Sequence, residues 1–406
     1  MRILVQKFGG TSVATPENRQ CAVEKIRNAI REGFQPVIVI SAMGRNGQPY
    51  ATDTLIGVAR EPNPLVSKRE LDSMMGCGEI ISAVVMVSTL QAAGIDAMMF
   101  TGGQAGIITD NQYGNARILR VDPVRIHAAL ANGKTPVVCG FQGVTVEGDL
   151  TTIGRGGSDT TASALGAALP AEAIEIYTDV DGIMTADPRI VPSAQILDRI
   201  SYAEVSQLAY QGAKVIHPRA VEFAMQKSIP LIVKSTFSDA PGTLITTSAQ
   251  VEETCDAPVS DRVATGVTYV KNIAQISVEP VSDSASFDSS RVFKILAASG
   301  INVDLINVLP RQVLFTVQAH DANETQQRLT AAGYCMTVSP DCAKVSVVGG
   351  GMGDVPGVMA SFVEALTASS IPILQTVDSQ TSISALIEGR CMESAVSVLH
   401  SKFGLD

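Results

Sequence analysis

The sequence ILVQKFGGTSVATPE (residues 3–17) is the segment that most clearly indicates the fold class. It begins with a short apolar run, passes through two glycines and reaches a helix start. There Thr15 is the expected N-cap, Pro16 takes the first helical position and Glu17 lies in the first turn. A strand, a glycine turn and a helix in direct succession are typical of one unit of a parallel α/β sheet. This stretch therefore predicts a strand at the start of such a sheet.

The same alternation continues to about residue 245. Short apolar runs rich in β-branched residues are separated by segments with helical periodicity. The runs are Ile3–Val5, Val37–Ile40, Val137–Cys139, Ile174–Tyr177 and Leu231–Val233. This rhythm predicts a mainly parallel sheet covered by helices.

A polar segment at 246–262 contains a proline and follows neither a helical nor a strand period, so we interpret it as a linker. A weak internal repeat comes after it. Residues 274–278 resemble 343–347, and residues 292–303 run parallel to 362–373. Each copy predicts strand, helix, strand. Two such small units would gain a sufficient core by pairing their sheets side by side.

Composition limits the class of protein. A chain of 406 residues predicts two or three domains, and 46% hydrophobic with 17% charged residues indicates a globular protein. The net charge of −10 argues against a nucleic-acid partner. The apolar stretch 80–95 is short for a membrane span and is better interpreted as a buried core helix, and the apolar run at the start of the chain is too short for a signal peptide. The seven cysteines include no CxxC pair, so we expect reduced thiols. Together with the short apolar stretches, this predicts a cytoplasmic location and no membrane partner.

Two glycine-containing segments are candidates for phosphate binding. In KFGGTS (residues 7–12) the glycines let backbone N–H groups approach phosphate oxygens, and Lys7 supplies a positive charge. Taken alone, this pattern is more often an ordinary turn at a strand end. The sequence SAMG (residues 41–44) follows the second apolar run, where ligands bind in parallel sheets, but a simple turn is an equal alternative.

An arginine among glycines and an isolated glutamate indicate a second ligand. In TTIGRGGSDTTA (residues 151–162), the fork of Arg155 suits a carboxylate, and helix capping by Asp159 would leave the glycines unexplained. Glu79 interrupts an apolar stretch, where an unpaired carboxylate is costly. It is either a member of a structural ion pair or a ligand for an ammonium group.

Two later segments add acidic residues and a lysine. The acidic residues of YTDVDGIMTADPR (177–189) form either a polar turn or a site for a ribose or Mg²⁺. Lys214, in GAKVIHP (212–218), would by default be a surface lysine. The chain contains no Walker A pattern and no HRD or DFG sequence, so P-loop and protein-kinase mechanisms are disfavoured.

In combination these motifs resemble the aspartate kinases of the amino-acid-kinase superfamily. The matching segments are KFGGTS, SAMG, GE at 78–79, FTGGQAG at 100–106, GFQG at 140–143, TTIGRGGSDTTA, YTDVDGIMTADPR and GAKVIHPRA at 212–220. The carboxy-terminal repeat resembles the paired ACT domains that end these enzymes. The resemblance implies a three-layer αβα kinase domain at 1–245, a linker at 246–262 and two ferredoxin-like ACT domains at 263–338 and 339–406.

The resemblance also implies a role for individual residues. Lys7, Asp159 and Lys214 would be catalytic. ATP, with Mg²⁺, would contact Lys7, Phe8, Gly9, Gly10, Ser41, Thr178, Asp179, Met184 and Lys214. L-Aspartate would contact Thr52, Glu79, Arg155, Gly156 and Ser158, with Arg155 on the α-carboxylate and Glu79 on the ammonium. No separate metal ligands are implied. The aspartate side chain is already an anion near pH 7, so no general base is needed.

The ACT pair implies feedback control by an amino acid and a homo-oligomer assembled through these domains. Effector contacts would be Asn302, Val303, Asp304, Ile373, Leu374, Ser379 and Gln380. The segment 44–53 and the sequence 301–307 resemble the diaminopimelate-sensitive branch, with lysine a close second and threonine also open. The first copy has SDSAS (282–286) where the second keeps DVPG (354–357), so two equivalent effector sites are in doubt. No Met lies between Met225 and Met336, so a separate regulatory subunit would need a non-AUG start.

Three alternative functions are less consistent with the sequence. A kinase of the same superfamily for glutamate, N-acetylglutamate or UMP is disfavoured by the ACT pair and by GRGGSDTTA. A non-catalytic amino-acid sensor would be expected to lack Lys7, Arg155, Asp159 or Lys214, and all four are present. A nicotinamide-dependent oxidoreductase would need a dinucleotide fingerprint, which GGGMG (349–353) does not supply.

Overall fold

The structure is a computed structural model, and it describes residues 2–213, 215–252, 263–280, 287–352 and 355–406. The described chain divides into two compact units. The amino-terminal unit comprises described residues within 1–183, 196–209 and 214–258. The carboxy-terminal unit comprises those within 184–195, 210–213 and 259–406. The sequence places one boundary at 246–262, whereas in the structure two short earlier segments also group with the second unit.

The amino-terminal unit contains most of the predicted α/β elements. Its strands are β1 Ile3–Phe8, β2 Gln35–Ile40, β3 Ala97–Phe100, β4 Ile107–Thr109, β5 Ile118–Val121, β6 Thr135–Cys139, β7 Gln142–Val144, β8 Leu150–Thr152, β9 Ala173–Thr178, β10 Arg199–Ser201, β11 Leu231–Ser235 and β12 Thr243–Thr246. The helices are α1 Pro16–Arg31, α2 Thr52–Arg60, α3 Lys68–Ala92, α4 Val124–Ala131, α5 Gly157–Ala168, α6 Tyr202–Tyr210, α7 Pro218–Gln226 and α8 Ser248–Glu252, with a 3-10 turn at Thr11–Val13.

The main sheet has the strand order β10-β12-β11-β9-β1-β2-β6-β3 among the described residues. Its neighbours are parallel except β11 and β12. Each of the five apolar runs predicted as strands lies in this sheet, so the mainly parallel sheet is confirmed. Because β1, β2, β6, β9 and β11 run in the same direction, their carboxyl ends share one edge.

Strand alternation gives the sheet two covered faces. Phe8 on β1 and its sheet neighbours Ile40 and Tyr177 pack with helices α1 and α3 in one buried cluster. Val5 belongs to the opposite face, where α5 packs so closely that a Cβ at Gly166 would lie 2.6 Å from Ile174. Lys7 has the same parity as Val5 and therefore points to the α5 side, at the carboxyl edge of the sheet.

The predicted helix start after β1 is confirmed. Helix α1 begins at Pro16, and Thr15 Oγ1 accepts a hydrogen bond from the Asn18 N–H at 3.2 Å. The disfavoured alternative, that Asp159 caps α5, does not hold, because Gly156 occupies the N-cap position with φ +66°. Asp159 lies in the first turn instead. Its carboxylate is therefore available for another role.

A smaller sheet with the order β5-β4-β7-β8 lies beside helix α3. Gly76 on α3 is pressed against β8, because an added Cβ would lie 3.0 Å from the Leu150 methyl groups. Gln142 Nε2 also donates to the Gly76 carbonyl at 2.7 Å. The strand β8 leads directly into the segment 153–157, so the contact of β8 with α3 fixes the start of the glycine-rich loop.

Helix α3 is the only described helix that is long and apolar enough to cross a membrane, judged by length and composition alone. In the structure it packs against the main sheet, and Ala83, Met86 and Leu90 are buried in that core. The prediction that the apolar stretch 80–95 forms a core helix is confirmed.

The carboxy-terminal unit is built from the two predicted repeats. Its elements are β13 Gly266–Glu279, α9 Ser289–Ala298, β14 Asp304–Leu309, β15 Gln312–Gln318, α10 Ala322–Ala331, β16 Cys335–Val348, α11 Val358–Ala368, β17 Gln375–Asp378, β18 Ser382–Glu388 and α12 Met392–Lys402, with 3-10 turns at Ala319–Asp321 and Gly389–Cys391. They share one six-stranded sheet in the order β14-β15-β13-β16-β18-β17. The predicted side-by-side pairing of the repeats is confirmed.

The long central strands β13 and β16 each serve both repeats. Ile276 and Val278, in the second half of β13, belong to the core of the first repeat. Val267, in the first half of β13, is buried with Val345 and Phe362 of the second repeat instead. The start of the region predicted as the first ACT domain thus packs in the core of the second.

Part of the predicted linker has structure of its own. The strand β12 extends to Thr246, and the short helix α8 follows at Ser248–Glu252. The remainder of that linker, 253–262, lies outside the described residues.

Candidate active site

A cavity of about 460 Å³ opens at the carboxyl edge of the main sheet. The residues that line it come from the end of β1, from the loops after β1, β2, β4, β6 and β8, and from helices α2, α3 and α5. They are Lys7, Gly10, Ser41, Ala42, Gly44, Thr52, Met75, Glu79, Gly114, Phe141, Gly154, Arg155, Gly156, Gly157, Ser158 and Asp159. All of them belong to the amino-terminal unit. Segments that are far apart in the sequence therefore meet in one site.

An ion pair joins the KFGGTS motif to the TTIGRGGSDTTA motif. Lys7 Nζ lies 2.7 Å from Asp159 Oδ1, and the two side chains are only 12% and 13% exposed. The pair forms because Lys7 leaves β1 on the face that α5 covers, while Asp159 lies in the first turn of α5. Asp159 thus holds the lysine ammonium at the cavity wall.

The loops after β1 and β2 touch each other closely at Gly10. A Cβ at this position would lie 2.4 Å from the Ala42 carbonyl oxygen, so only glycine fits. The Ser41 N–H donates to the Phe8 carbonyl at 3.2 Å, and the Gly44 N–H donates to the Gly10 carbonyl at 3.2 Å. These contacts place Ser41 beside the glycine turn. They show why small residues follow both strands.

Glu79 is a buried carboxylate on the cavity wall. The residue is 2% exposed, and its Oε1 accepts the Ala42 N–H at 3.2 Å. Among the described residues, its Oε2 has no hydrogen-bond partner. Burial raises the pKa of the Glu79 carboxyl to about 8, opposed in part by the hydrogen bond from Ala42. A cationic group in the cavity would satisfy this oxygen.

The loop that carries Arg155 is shaped by two glycines in the left-handed region. Gly154 has φ +84° and Gly156 has φ +66°, a conformation that other L-residues rarely adopt. At Gly156 an added Cβ would lie 2.1 Å from the His217 Cβ, so the tight packing of α5 against α7 also requires glycine. The loop presents Arg155 as an exposed side chain at the cavity.

Arg219, at the start of α7, donates hydrogen bonds to the backbone that precedes this loop. Arg219 Nη1 donates to the Ile153 carbonyl at 2.6 Å, and its Nη2 donates to the Ala116 carbonyl at 3.1 Å. Burial lowers the pKa of Arg219 and, with the nearby Arg219 charge, that of His217. The motif GAKVIHPRA therefore contributes to the site through residues beyond its lysine.

Thr178 and Asp179 lie at the end of β9, next to the end of β1 in the sheet. They do not line the cavity. Asp179 Oδ2 lies 2.8 Å from an Arg45 guanidinium nitrogen, and Thr178 Oγ1 donates to Asp179 Oδ1 at 3.2 Å. Both residues of the Arg45–Asp179 pair are exposed, so the pair spans open surface between the loop after β2 and the loop after β9.

Three other predicted ATP contacts, Phe8, Gly9 and Met184, also do not line the cavity. The Phe8 side chain is fully buried and stacks on Tyr177 at a ring distance of 4.7 Å, so only its backbone can face a ligand. Met184 is half-buried and belongs to the carboxy-terminal unit. Lys214 lies outside the described residues.

The two predicted effector segments meet in the carboxy-terminal unit. Gln375, next to Ile373 and Leu374, donates through Nε2 to the Leu305 carbonyl and to Asn307 Oδ1. Asp304 forms an ion pair with Lys344, whose side chain is buried in the central strand β16. Ser379 and Gln380 lie at the opposite end of β17, where Ser379 bonds with Ser382. The contrasted loops at 282–286 and Asp354 fall outside the described residues.

The described residues contain no group of three or more His, Cys, Asp and Glu side chains placed to hold a metal ion. The six described cysteines are free.

Comparison with known proteins identifies the family. The amino acid kinase family model matches residues 2–235, and an ACT domain model matches residues 337–401. The Aspartokinase 1 of Bacillus subtilis (strain 168) is 47% identical to this chain over 405 residues, which cover 100% of both chains. The chain belongs to the aspartokinase family. The predicted family is confirmed.

Other aspartokinases show the same full-length similarity. The aspartokinase of Mycolicibacterium smegmatis is 40% identical over 418 residues, covering 100% of this chain and 97% of the relative. Among solved structures, E. coli aspartokinase III in complex with aspartate and ADP (R-state) superposes with a TM-score of 0.81 at 26% identity. The same enzyme in complex with lysine and aspartate (T-state) gives 0.74, also at 26%. Each comparison covers 99% of both chains.

As an aspartokinase, the protein is a phosphotransferase that uses ATP and acts on the carboxyl group of aspartate, in amino-acid biosynthesis. Its ACT region supports feedback regulation. The αβα kinase fold and the ferredoxin-like ACT fold expected from the sequence are both confirmed.

Several cavity residues were not predicted individually. Gly114 and Met75 carry no signal in the sequence that marks them as part of a site. Phe141 lies in the GFQG motif, and its φ of +66° is uncommon for a large residue. Its carbonyl accepts the Ile153 N–H at 2.9 Å. The GFQG motif was visible in the sequence, but the uncommon backbone conformation of Phe141 was not.

Proposed function

We propose that this aspartokinase holds L-aspartate and the γ-phosphoryl group of ATP together in the cavity at the carboxyl edge of the main sheet. One observation carries this proposal. Glu79 is a buried carboxylate that lines the cavity, and its Oε2 has no hydrogen-bond partner among the described residues. Leaving such an atom unpaired costs free energy, so its presence is best explained by a cationic ligand. The ammonium of an amino acid meets that requirement.

Aspartate would be recognised at its two α-substituents. Its ammonium would lie against Glu79, and its α-carboxylate would receive the two parallel N–H groups of Arg155. Thr52, Gly156 and Ser158 line the same cavity and would complete the pocket. Recognition of the α-substituents leaves the side-chain carboxylate free to point toward the phosphate.

ATP would lie on the β1 side of the cavity. Lys7, the backbone of Phe8, Gly9 and Gly10, and Ser41 would contact its phosphates, where glycines allow close approach of N–H groups. The remainder of the nucleotide would contact Thr178, Asp179, Met184 and Lys214, as the family resemblance implies. Mg²⁺ would enter bound to the ATP phosphates, since it prefers phosphate and carboxylate oxygens.

The reaction requires no proton transfer. The aspartate side chain is already an anion near pH 7, and one of its oxygens attacks the γ-phosphorus. A new O–P bond forms as the bond from the γ-phosphorus to the β–γ bridging oxygen breaks. The electron pair of the broken bond goes to ADP, and the other product is 4-phospho-L-aspartate.

The work of the site is then positioning and charge neutralisation. Lys7 meets the negative charge on the transferring group, and the 2.7 Å contact with Asp159 fixes its ammonium before the substrates bind. The start of α5 at Gly157 adds N–H groups that favour an anion. Lys214 is proposed as the second cation on the basis of its motif.

For regulation, we propose an amino-acid effector at the junction of the two ACT repeats. Gln375 donates there to the carbonyl of Leu305, the residue after Asp304, and Asp304 offers a carboxylate to an ammonium group. Lysine is a candidate because the T-state structure of E. coli aspartokinase III contains it. Diaminopimelate and threonine remain candidates from the resemblance, together with Ser379 and Gln380 as contacts.

The proposal extends to the organisation of the protein. We propose a kinase domain at 1–245, a linker at 246–262 and ACT domains at 263–338 and 339–406, with the diaminopimelate- or lysine-sensitive type of control. The ACT domains would join copies of the chain into a homo-oligomer. A cytoplasmic location is consistent with free cysteines and with α3 acting as a core helix.

A hydroxamate assay tests the acceptor and the effector together. Acyl phosphates react with hydroxylamine, so aspartyl phosphate can be trapped as it forms. We expect product with ATP and L-aspartate and none with glutamate or N-acetylglutamate, and inhibition when lysine or diaminopimelate is added. Equal product with glutamate would contradict the proposed substrate contacts. Activity unaffected by lysine, diaminopimelate and threonine would contradict the proposed effectors.

A further inference from the structure

A second buried carboxylate lies on α3, two helical turns before Glu79. Asp72 is fully buried and accepts three hydrogen bonds. Its Oδ2 receives the Thr152 N–H at 2.8 Å and the Gly114 N–H at 2.9 Å, and its Oδ1 receives the Thr152 hydroxyl at 2.8 Å. Hydrogen bonds from neutral donors to a buried carboxylate are stronger than those between neutral groups. Asp72 therefore joins three segments of chain firmly.

The partners of Asp72 lead directly to the substrate loop. Thr152 ends β8 and stands three residues before Arg155. Gly114 lines the cavity itself, on the loop between β4 and β5. Displacement of either partner would change the position of the cavity wall on the side of Arg155.

The guanidinium group of Arg219 binds backbone carbonyl groups at the same strand end. It donates to the carbonyl of Ile153, the residue after Thr152, and to the carbonyl of Ala116. The N–H of Thr152 is thus bound by an acid and the carbonyl of Ile153 by a base. This clamp fixes the backbone from which Gly154 and Arg155 start.

Asp72 and Glu79 share a helix and a face. They are seven residues apart, which is two turns or about 10 Å along the axis. A helix is rigid over that length, so the position of Glu79 is transmitted through α3 to Asp72 and from there to the Arg155 loop. The two groups proposed to bind the α-substituents of aspartate are connected by this route.

We infer that Asp72 is a positioning residue for aspartate, which sets the distance between the ammonium-binding Glu79 and the carboxylate-binding Arg155. The inference rests on the proposed roles of Glu79 and Arg155. Asp72 does not line the cavity and would not touch substrate. Its effect should therefore appear in the KM for aspartate, with little change in the KM for ATP.

Three variants of the full-length enzyme separate positioning from general stability. Asp72→Leu keeps a similar volume and removes all three acceptors. Asp72→Asn can keep the three contacts, since its oxygen can accept both N–H groups while its amide donates to the Thr152 hydroxyl. Thr152→Val removes one hydrogen bond and preserves the shape of the residue.

Steady-state kinetics on folded protein, with circular dichroism as the check of folding, give the test. Loss of hydrogen bonds to a buried carboxylate predicts a KM for aspartate raised about tenfold or more in Asp72→Leu. We expect Asp72→Asn to restore it to within about threefold of the parent, and Thr152→Val to raise it about threefold to tenfold. The KM for ATP should change less than about twofold in each variant.

An Asp72→Leu variant with an unchanged KM for aspartate would overturn the inference. So would equal changes in both KM values and kcat, which indicate a merely structural role. If Asp72→Leu does not fold, the Thr152→Val result decides in the same way. Arg155→Ala is measured in parallel: if it also leaves the KM for aspartate unchanged, the proposed substrate contacts fail as well, whereas a raised KM in Arg155→Ala alone rejects only the role of Asp72.

Discussion

The ammonium of Lys7 lies 2.7 Å from a carboxylate oxygen of Asp159, although the two residues are 152 positions apart in the chain. Lys7 leaves the central strand β1 and Asp159 lies in the first turn of α5, so the pair joins the sheet to the helix that covers it. Both side chains are largely shielded from water, which strengthens their interaction. The lysine is therefore held in place before a nucleotide binds.

Replacement of Lys7 by alanine should affect turnover more than aspartate binding. The lysine would neutralise charge on the transferring phosphoryl group, and loss of one such group typically lowers kcat about 10²- to 10³-fold. The KM for aspartate should change little, because Glu79 and Arg155 remain. Initial rates at saturating ATP measure both quantities. The control is Lys25→Ala, which removes a lysine on α1 that pairs with Asp239. Near-normal turnover in Lys7→Ala would reject the assignment.

The pH dependence of aspartate use should report Glu79. Burial raises its pKa to about 8 in the free enzyme, and in the proposed site the ammonium of aspartate would bind the ionised form. Below pH 8 the kcat/KM for aspartate should rise about tenfold per pH unit and then level off. In Glu79→Gln the value should be lower but independent of pH in this range. The same slope in both proteins would show that another group titrates.

The same carboxyl should affect stability in the opposite direction. Its folded pKa of about 8 is above the ordinary value of 4.5, so between these pH values the unfolded chain binds fewer protons at this residue than the folded one. The Glu79 contribution to the free energy of unfolding therefore falls as pH rises from 4.5 to 8 and is constant above that.

Glu79→Gln should remove this loss, so the variant should gain stability relative to the parent as pH rises, by up to about 1.4 kcal/mol per pH unit. Urea unfolding of both proteins without ligands at pH 5.5, 7 and 8.5 measures the difference. A constant difference between the two proteins across these pH values would contradict a raised pKa.

Substitution of Asp304 should relieve feedback inhibition without loss of catalysis. The side chain of Asp304 is 64% exposed beside the buried Lys344 and adjoins the segment that Gln375 joins to the second repeat. In Asp304→Asn the carbonyl oxygen can still accept from Lys344, but the charge that attracts an effector ammonium is lost. We expect the half-inhibitory concentration of lysine or diaminopimelate to rise about tenfold or more.

The uninhibited kcat of Asp304→Asn should equal that of the parent. The matched control is Glu364→Gln. It removes an exposed carboxylate on α11 that pairs with Lys402 on α12, and it should keep normal inhibition. Inhibition of Asp304→Asn at the parental concentration would exclude Asp304 from the effector site.

Much of this architecture could be predicted from local patterns. The apolar runs that form β1, β2, β6, β9 and β11 are buried except at Ile232, and such runs are distinctive in a sequence. The helix start at Pro16 was equally clear because Thr15, Pro16 and Glu17 act within a few residues of one another. Local physics suffices where the determining contacts are also local.

The remainder depends on contacts between distant segments. The family resemblance implied a catalytic role for Asp159, whereas the local pattern offered only helix capping. Its partner Lys7 is brought near only by the folded sheet. Asp72 gave no signal, since a buried aspartate on an apolar helix is recognisable only when Thr152 and Gly114 are seen around it. The exchange of strand β13 between the two repeats was hidden for the same reason, because pairing and not propensity sets it.

Truncated substrates test whether Glu79 binds the ammonium and Arg155 the α-carboxylate of aspartate. Succinate lacks the ammonium, and β-alanine lacks the α-carboxylate. The measurement is kcat/KM for aspartate, succinate and β-alanine with the parent enzyme, Glu79→Gln and Arg155→Ala. We predict that the penalty for succinate shrinks about tenfold or more only in Glu79→Gln, and that for β-alanine only in Arg155→Ala. Penalties that are the same in all three proteins would contradict the account.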